Sequence, residues 1–244
     1  MIIWLNAMQN LSDLVQKLAY GELQGTPLVG TSSFEIQDRF IPKLITYIND
    51  AQTTMYTEFV LKRKQVVVQL LPSTNIYSLE DKFSITNHDE NPIKYILDTP
   101  ENPFDESTLI KILGVYSIDG LPYPINDYHN LRSIHLIDFK TLEINNPYCY
   151  SDKIVIMYQA KPKNFDLNYE KSKYNKVEIP PMYEQAFRAL IACLTLRSMG
   201  GSKHNDSNAF WAIYKTQCEL IKANGIDSNN YGSINVRPNL NGWI

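Results

Sequence analysis

Cysteine and histidine are scarce in this chain, and each scarcity removes a class of function. Only three cysteines occur in 244 residues, Cys149, Cys193 and Cys218, and no two form a C-x-x-C pair. Zinc-ribbon and dithiol redox patterns are therefore excluded. The odd, widely spaced set fits synthesis in a reducing cytoplasm, where a cysteine inside a helix behaves as a small buried hydrophobe. The four histidines, His88, His129, His135 and His204, are scattered. None stands at helical ligand spacing from another His, Cys or carboxylate. His129 and His135 are six residues apart, and surface histidines are the expected reading. No metal and no cofactor is expected.

Long apolar runs are missing as well. No stretch approaches the roughly 20 apolar residues that span a bilayer, so no membrane partner is expected. The opening MIIWLNAM is apolar for only a few residues and lacks the basic flank of a secretory signal. Charge of one sign is also lacking: 23 Lys and Arg stand against 26 Asp and Glu, a net of −3. Sequence-reading contact with nucleic acid, which needs clustered cations facing phosphates, is not indicated. A mild acidic balance suits DNA that passes nearby without sticking.

Catalytic signatures are absent too. There is no G-x-S-x-G elbow, no H-E-x-x-H and no G-x-G-x-x-G. Gly200-Gly201-Ser202-Lys203 lacks the phosphate-loop frame and follows a helix where a phosphate loop follows a strand, so it reads as a helix C-cap. Asp119-Gly120 and Asn126-Asp127, around LPYP, read as turns and lack the alternating acids of a calcium loop. The chain is not expected to be an enzyme.

What is present is strong punctuation. Leu11, Leu14, Val15 and Leu18 mark one face of a short helix capped by Asn10 or Ser12. Ser32 and Glu35 have capping-box spacing. Ile36, Phe40, Leu44, Ile48, Ala51, Met55 and Phe59 then recur at intervals of 4 and 3, a long amphipathic helix in which Pro42 is either a kink or the true first turn. At Lys62 the period changes. Strand-length runs follow at 65–71, 76–79, 93–97, 109–118, 131–138, 141–144 and 154–158, and eight of the thirteen prolines fall between 62 and 162. A small β-sandwich or antiparallel sheet of about six strands is predicted.

The connector AKPKNFDLNYEKSKYNKVE interleaves Lys161, Lys163, Lys171, Lys173 and Lys176 with Tyr169 and Tyr174. Such a mix can track nucleic acid, but Asp166, Glu170 and Glu178 dilute it and a solvated connector is expected. Next come two helices. The first enters at Pro180-Pro181 and stops at Gly200-Gly201. It is apolar almost all round from Ala186 to Leu196, broken by Arg188 and Thr195, so it must be covered on every face, by its own bundle or by another subunit. The second is predicted over 207–223, capped by Asp206 or Ser207, with Phe210, Ile213, Tyr214, Gln217 and Ile221 on its face. Phe187, Leu190, Ile191, Leu194, Phe210, Ile213 and Tyr214 are the candidate bundle and subunit packing residues.

The last 20 residues carry only Asp227 and Arg237 as charges, with five Asn and three Gly. Tyr231, Ile234, Val236, Leu240, Trp243 and Ile244 are nonetheless apolar. Such a segment gains contacts by lying extended on something, its own domain or a partner, and these six are the candidate docking residues. The fold class is therefore α+β: an antiparallel helical bundle (1–61 and 166–224) with an inserted β-sandwich-like domain (62–165) and an extended C-terminal arm (225–244).

The strand QLLPSTNIYSL and the helix EIPPMYEQAFRALIACLTLRSMGG, in this order of elements, resemble the head-to-tail adaptor proteins of short-tailed phages, the tail tubular protein A and head-completion ring family. The resemblance extends over most of residues 5–224. It implies a ring, typically of twelve copies, bound beneath the portal, which extends the DNA channel and meets the next tail component. It also implies a place in the virion neck, assembly in the bacterial host cytoplasm, and a C-terminal segment that docks on the portal or a neighbour. With 26 Ile and 22 Asn against 10 Ala and 10 Gly, the composition is that of A/T-rich codons. Together with the long β-insert, it resembles the crAss-like phages. DNA would pass without sequence reading, lined by acidic or neutral groups near Asp50 or on β-domain loops. The alternative is a binding module whose tyrosine-rich β-domain recognises carbohydrate or protein on a helical mount.

Overall fold

The computed structural model describes residues 9–30, 34–88, 91–145, 152–201 and 203–224. It is a mixed α+β fold whose residues divide into two units: Met1–Leu61 with Asn164–Ile244, and Lys62–Lys163.

The first unit is helical. Helix α1 (Leu11–Tyr20) buries Leu11, Leu14, Val15 and Leu18. At its start the Asn10 N–H donates to Asp13 Oδ2 at 3.2 Å, so Asn10 rather than Ser12 marks the end. Helix α2 (Ile41–Glu58) follows a 3-10 turn at Asp38–Phe40. Pro42 lies in its first turn, where the missing N–H costs nothing. Of the two expectations for Pro42, the true first turn is the one observed, and the 4-and-3 spacing from Ile36 begins in the segment that leads into the helix. Glu35 is an exposed bend residue outside any helix, and its expected capping partner Ser32 lies outside the described residues. Leu44, Ile48, Ala51, Met55 and Phe59 are all buried.

The return segment is more than a solvated connector. Phe165 and Val177 are buried, a short helix α3 (Tyr169–Ser172) interrupts it, and its backbone bonds to the start of α1 through Leu11 N to Asn175 O and Val177 N to Gln9 O. Phe165 is tied to α2, so the helical unit resumes at Asn164.

A 3-10 turn at Pro181–Tyr183 leads into α4 (Glu184–Arg197). Helix α4 packs against both α2 and α5 (Lys203–Ala223). Ala186, Phe187, five consecutive residues from Ala189 to Cys193, and Thr195 and Leu196 are buried. The two polar interruptions are accommodated: Arg188 pairs with Glu22 at 3.0 Å, and the Thr195 hydroxyl donates to Ile191 O at 2.7 Å. Gly200 (φ 67°) and Gly201 (φ 58°) end the helix in the left-handed region, as a C-cap requires. Helix α5 begins four residues before the expected Ser207. Ser207 does not act as a cap: it is fully buried and donates to Cys193 O at 3.0 Å, joining α5 to α4.

The second unit holds two antiparallel sheets. One has the order β3-β1-β7-β4, from β1 (Arg63–Gln69), β3 (Ile96–Leu97), β4 (Leu109–Ser117) and β7 (Lys153–Ala160). The other has the order β2-β6-β5, from β2 (Ile76–Ser78), β5 (His135–Leu136) and β6 (Thr141–Glu143). Strands β1 and β7 pair without interruption from Arg63↔Gln159 to Gln69↔Lys153. The β4·β7 register shifts near Gly114, where a Cβ would lie 2.9 Å from the Tyr116 ring. Val68, Tyr77, Tyr95, Ile96, Ile154, Ile156 and Tyr158 centre a core to which both sheets contribute. Its tyrosines keep their hydroxyls bonded: Tyr77 accepts from Leu71 N at 2.7 Å, and Tyr95 accepts from Ser78 N at 2.9 Å. Burial pushes the Tyr158 hydroxyl up to about 12.

Candidate interaction surfaces

Helix α5 carries two stripes. Ser207, Tyr214, Cys218 and Ile221 form the buried one, at intervals of seven, four and three that follow the helical repeat. Beside it runs Phe210, Ile213, Gln217 and Leu220, spaced 3, 4 and 3. Phe210 and Gln217 are half-buried, while Ile213 is 40% and Leu220 50% exposed. Trp211, 39% exposed, flanks it, with the Lys215 ammonium 5.0 Å from the ring centre. Three of the four residues are apolar, at the 3-and-4 spacing that keeps them on one face of the helix.

The structure thus divides the residues expected to pack. Phe187, Leu190 and Ile191 are covered within their own helical unit, Leu194 is half-buried, Tyr214 is buried, and Phe210 and Ile213 lie on the outward flank. The all-round apolar character of α4 therefore requires no neighbouring subunit, because α2 and α5 supply its cover. Leu220 and Trp211 were not singled out in the sequence, although Ile213 and Leu220 stand seven apart. The arm residues Tyr231, Ile234, Val236, Leu240, Trp243 and Ile244 lie outside the described residues, as does Cys149.

The inner stripe of α5 is fixed by a polar cluster. The Tyr214 hydroxyl donates to Glu58 Oε2 at 2.5 Å and Lys222 Nζ to Glu58 Oε1 at 2.8 Å. Burial raises the Glu58 carboxyl, but the Lys222 and Tyr214 bonds outweigh it and hold the group below the usual carboxylate range. Burial, with the bond to Glu58, pushes the Tyr214 hydroxyl up. Both groups keep the protonation that the bond needs across neutral pH, so the cluster is a structural lock.

A groove of about 400 Å³ opens elsewhere on the helical unit. Leu28, Phe40, Leu44, Tyr47 and Met199 give it an apolar floor, and Lys43 and Lys203 are the charged residues among the described ones that line it. Lys203 lies 3.3 Å from Asp206.

In the β unit, exposed apolar residues gather between β4 and β6. Leu121 is 68% exposed, Tyr128 85% and Leu131 88%, with Ile118, Ile137 and Phe139 also exposed. Tyr128 stacks on His135 with ring centres 4.9 Å apart. The turns here are firmly built: Gly120 (φ 84°) and Asn126 (φ 55°) take the left-handed conformation, and the Asn126 side chain accepts from Leu136 N at 2.9 Å. Among the described tyrosines of the unit, several serve the core instead. Tyr77, Tyr95 and Tyr158 are buried, and Tyr116 and Tyr123 are half-buried.

Among the described residues, no group of three or more His, Cys, Asp and Glu is placed to hold a metal ion. No helix among them is long and apolar enough to cross a membrane. Cys193 and Cys218 are free and buried. The lysines of the return segment meet carboxylates, Lys163 with Asp105 at 2.9 Å, Lys171 with Asp166 at 3.7 Å and Lys173 with Glu170 at 2.6 Å. Asp50 is exposed on α2. No protein-family model matches the chain, and a search of curated proteins finds no match.

Proposed function

We propose that this chain is a structural virion protein that packs side by side into a closed ring beneath a phage portal, joins head to tail and extends the DNA channel. On this reading the helices form an antiparallel bundle, the two sheets stack as a sandwich, and residues 225–244 dock on the portal or a neighbouring copy. The ring holds about twelve copies, stands in the virion neck, is assembled in the host cytoplasm, meets the next tail component below and passes double-stranded DNA without reading it. The chain performs no catalysis.

The observation that carries the reading is the second stripe of α5, where Phe210, Ile213 and Leu220 lie outside the helical core at coiled-coil spacing. Each Leu- or Ile-sized side chain covered by a neighbour contributes about 1.5–3 kcal/mol, and a closed ring repeats that contribution at every junction. The resemblance of QLLPSTNIYSL and EIPPMYEQAFRALIACLTLRSMGG to the adaptor family points the same way. The test is negative-stain microscopy of the purified protein, alone and with its portal. Rings with a central hole are expected, and monomers under both conditions overturn the reading.

A specific observation favours a second reading, a β-unit binding module. Tyr128, stacked on His135, is an exposed aromatic face of the kind that meets sugars or anchors a protein interface. Glycan-array binding abolished by Tyr128→Ala would support it.

A further inference from the structure

The chain leaves α5 on the line of its outer stripe. Phe210, Ile213, Gln217 and Leu220 stand at steps of 3, 4 and 3, and Asn224, the last described residue, follows Leu220 by the 4 that continues the line. At 1.5 Å per residue the stripe from Phe210 to Leu220 is about 15 Å long, and Asn224 lies about one turn beyond it. None of the four stripe residues carries a formal charge, and Ile213 and Leu220 are 40% and 50% exposed. Residues 225–244 are therefore tethered at one end of an apolar line that the helical core leaves open.

The sequence of that segment has a matching pattern. Ile234, Val236, Pro238 and Leu240 alternate with Asn235, Arg237, Asn239 and Asn241. A period of two puts the apolar side chains of an extended segment on one side and the polar ones on the other. At about 3.3 Å per residue the apolar side from Ile234 to Leu240 measures about 20 Å, enough to span the stripe from end to end. Pro238 has no N–H, so the segment does not suit the interior of a sheet. A helix face asks for no backbone partners, because the helix has already paired its own N–H and C=O groups. Beyond Asp227 the one formal charge is Arg237, which falls on the polar side. The ten residues from Asn224 to Ile234 can extend over about 33 Å, so the chain has the length to reverse and run back along the helix.

We propose that in the free protein residues 234–240 lie extended and antiparallel along the outer stripe of their own α5, covering Phe210, Ile213 and Leu220 until a neighbouring copy takes their place. The tether decides between copies: an attached segment meets its own helix at an effective concentration in the millimolar range, far above that of any other copy in dilute solution. The inference rests on the ring reading, in which the same stripe forms the junction and residues 225–244 end on the portal or a neighbouring copy. It adds a threshold to that reading. Each copy gives up an internal contact before it joins a ring, so the apparent affinity falls by the fraction of copies whose stripe is uncovered. Capture of the arm by the portal removes that penalty.

Two measurements on the full chain test it. In the first, p-benzoylphenylalanine replaces Gln217 at the middle of the stripe, the monomer is irradiated, and the products are mapped by mass spectrometry. Cross-links from position 217 to residues 231–241 of the same chain are expected, and a monomer without them overturns the inference. In the second, Val236→Asp/Leu240→Asp places two carboxylates on the apolar side of the segment and uncovers the stripe. Sedimentation velocity is then expected to show rings at a concentration about tenfold lower than for the wild type, or lower still. Circular dichroism checks that the variant is folded. An unchanged or higher threshold, or a wild-type protein that stays fully assembled at every dilution, overturns the inference and leaves the ring reading standing. If neither chain assembles, alone or with its portal, the ring reading falls and the threshold with it, while the cross-link still decides the contact.

Discussion

Asn49 and Phe165 are joined twice. From the middle of α2 the Asn49 amide nitrogen donates to Phe165 O at 3.1 Å, and Phe165 N donates to Asn49 Oδ1 at 2.9 Å. Both residues are buried. A side-chain amide here does the work of a neighbouring strand, satisfying the backbone donor and acceptor at the point where the chain resumes its helical unit. Asn49→Leu removes both bonds and leaves a buried N–H and C=O without partners, so a loss of about 2–4 kcal/mol is expected. Asn49→Asp keeps an acceptor but turns a carboxylate toward a carbonyl, and should also be destabilised. Urea unfolding followed by helical circular dichroism measures both.

Tyr214 and Glu58 fix α5 against the end of α2. Tyr214→Phe deletes only the hydroxyl and should cost about 1–2 kcal/mol, as expected for a hydrogen bond to a charged group. Tyr214→Ala also empties a fully buried site and should cost about 3–5 kcal/mol. Equal losses in the two variants would contradict this division.

Acid should weaken the β unit in a defined window. Lys82, 2.5 Å away, together with Ser78 and Lys140, holds the Glu80 carboxyl down to about 2. An unfolded Glu titrates near ~4.3. The stabilisation is therefore complete above that value and is lost as pH falls toward about 2. Asp98 adds to it: burial raises its carboxyl, but bonds from Thr86, Phe104 and Ser84 outweigh this and hold it below its ordinary value. Asp81, raised by burial, works in the opposite sense. Thermal midpoints between pH 5 and pH 2 should fall, and Glu80→Gln should start lower at neutral pH and fall less steeply.

The punctuation of this fold was legible in the sequence, because proline and glycine act through the backbone alone. Pro42, Pro181 and Gly200-Gly201 mark helix boundaries, and the seven β-branched and aromatic runs correspond to seven strands, though the run at 131–138 yields only the two-residue β5. What depends on neighbours was not legible. Ser207 has the residue type of a cap, yet a carbonyl on α4 claims its hydroxyl. Phe165 reads as part of a soluble connector until Asn49 appears opposite it. The apolar periphery of α4 called for cover by its own bundle or by another subunit without deciding between them; α2 and α5 supply it, and exposed apolar residues lie instead on α5. The groove joins Leu28, Lys43 and Lys203, which periodicity within one helix cannot bring together.

Substitutions on the outer stripe of α5 separate folding from assembly. Ile213→Asp and Leu220→Asp place charges at positions already 40% and 50% exposed. Changes in stability should stay within about 0.5 kcal/mol, as for ordinary surface sites. Any larger loss of stability would mean that these residues serve the protein's own core.

The central claim is association through that stripe, and sedimentation velocity of the wild-type protein beside Ile213→Asp, each alone and with its portal, tests it most directly. The wild-type chain should sediment as a closed ring many times its 28.1 kDa mass, and Ile213→Asp should be folded but monomeric. A wild-type chain that remains a single 28.1 kDa species at high concentration and in the presence of its portal would contradict the account.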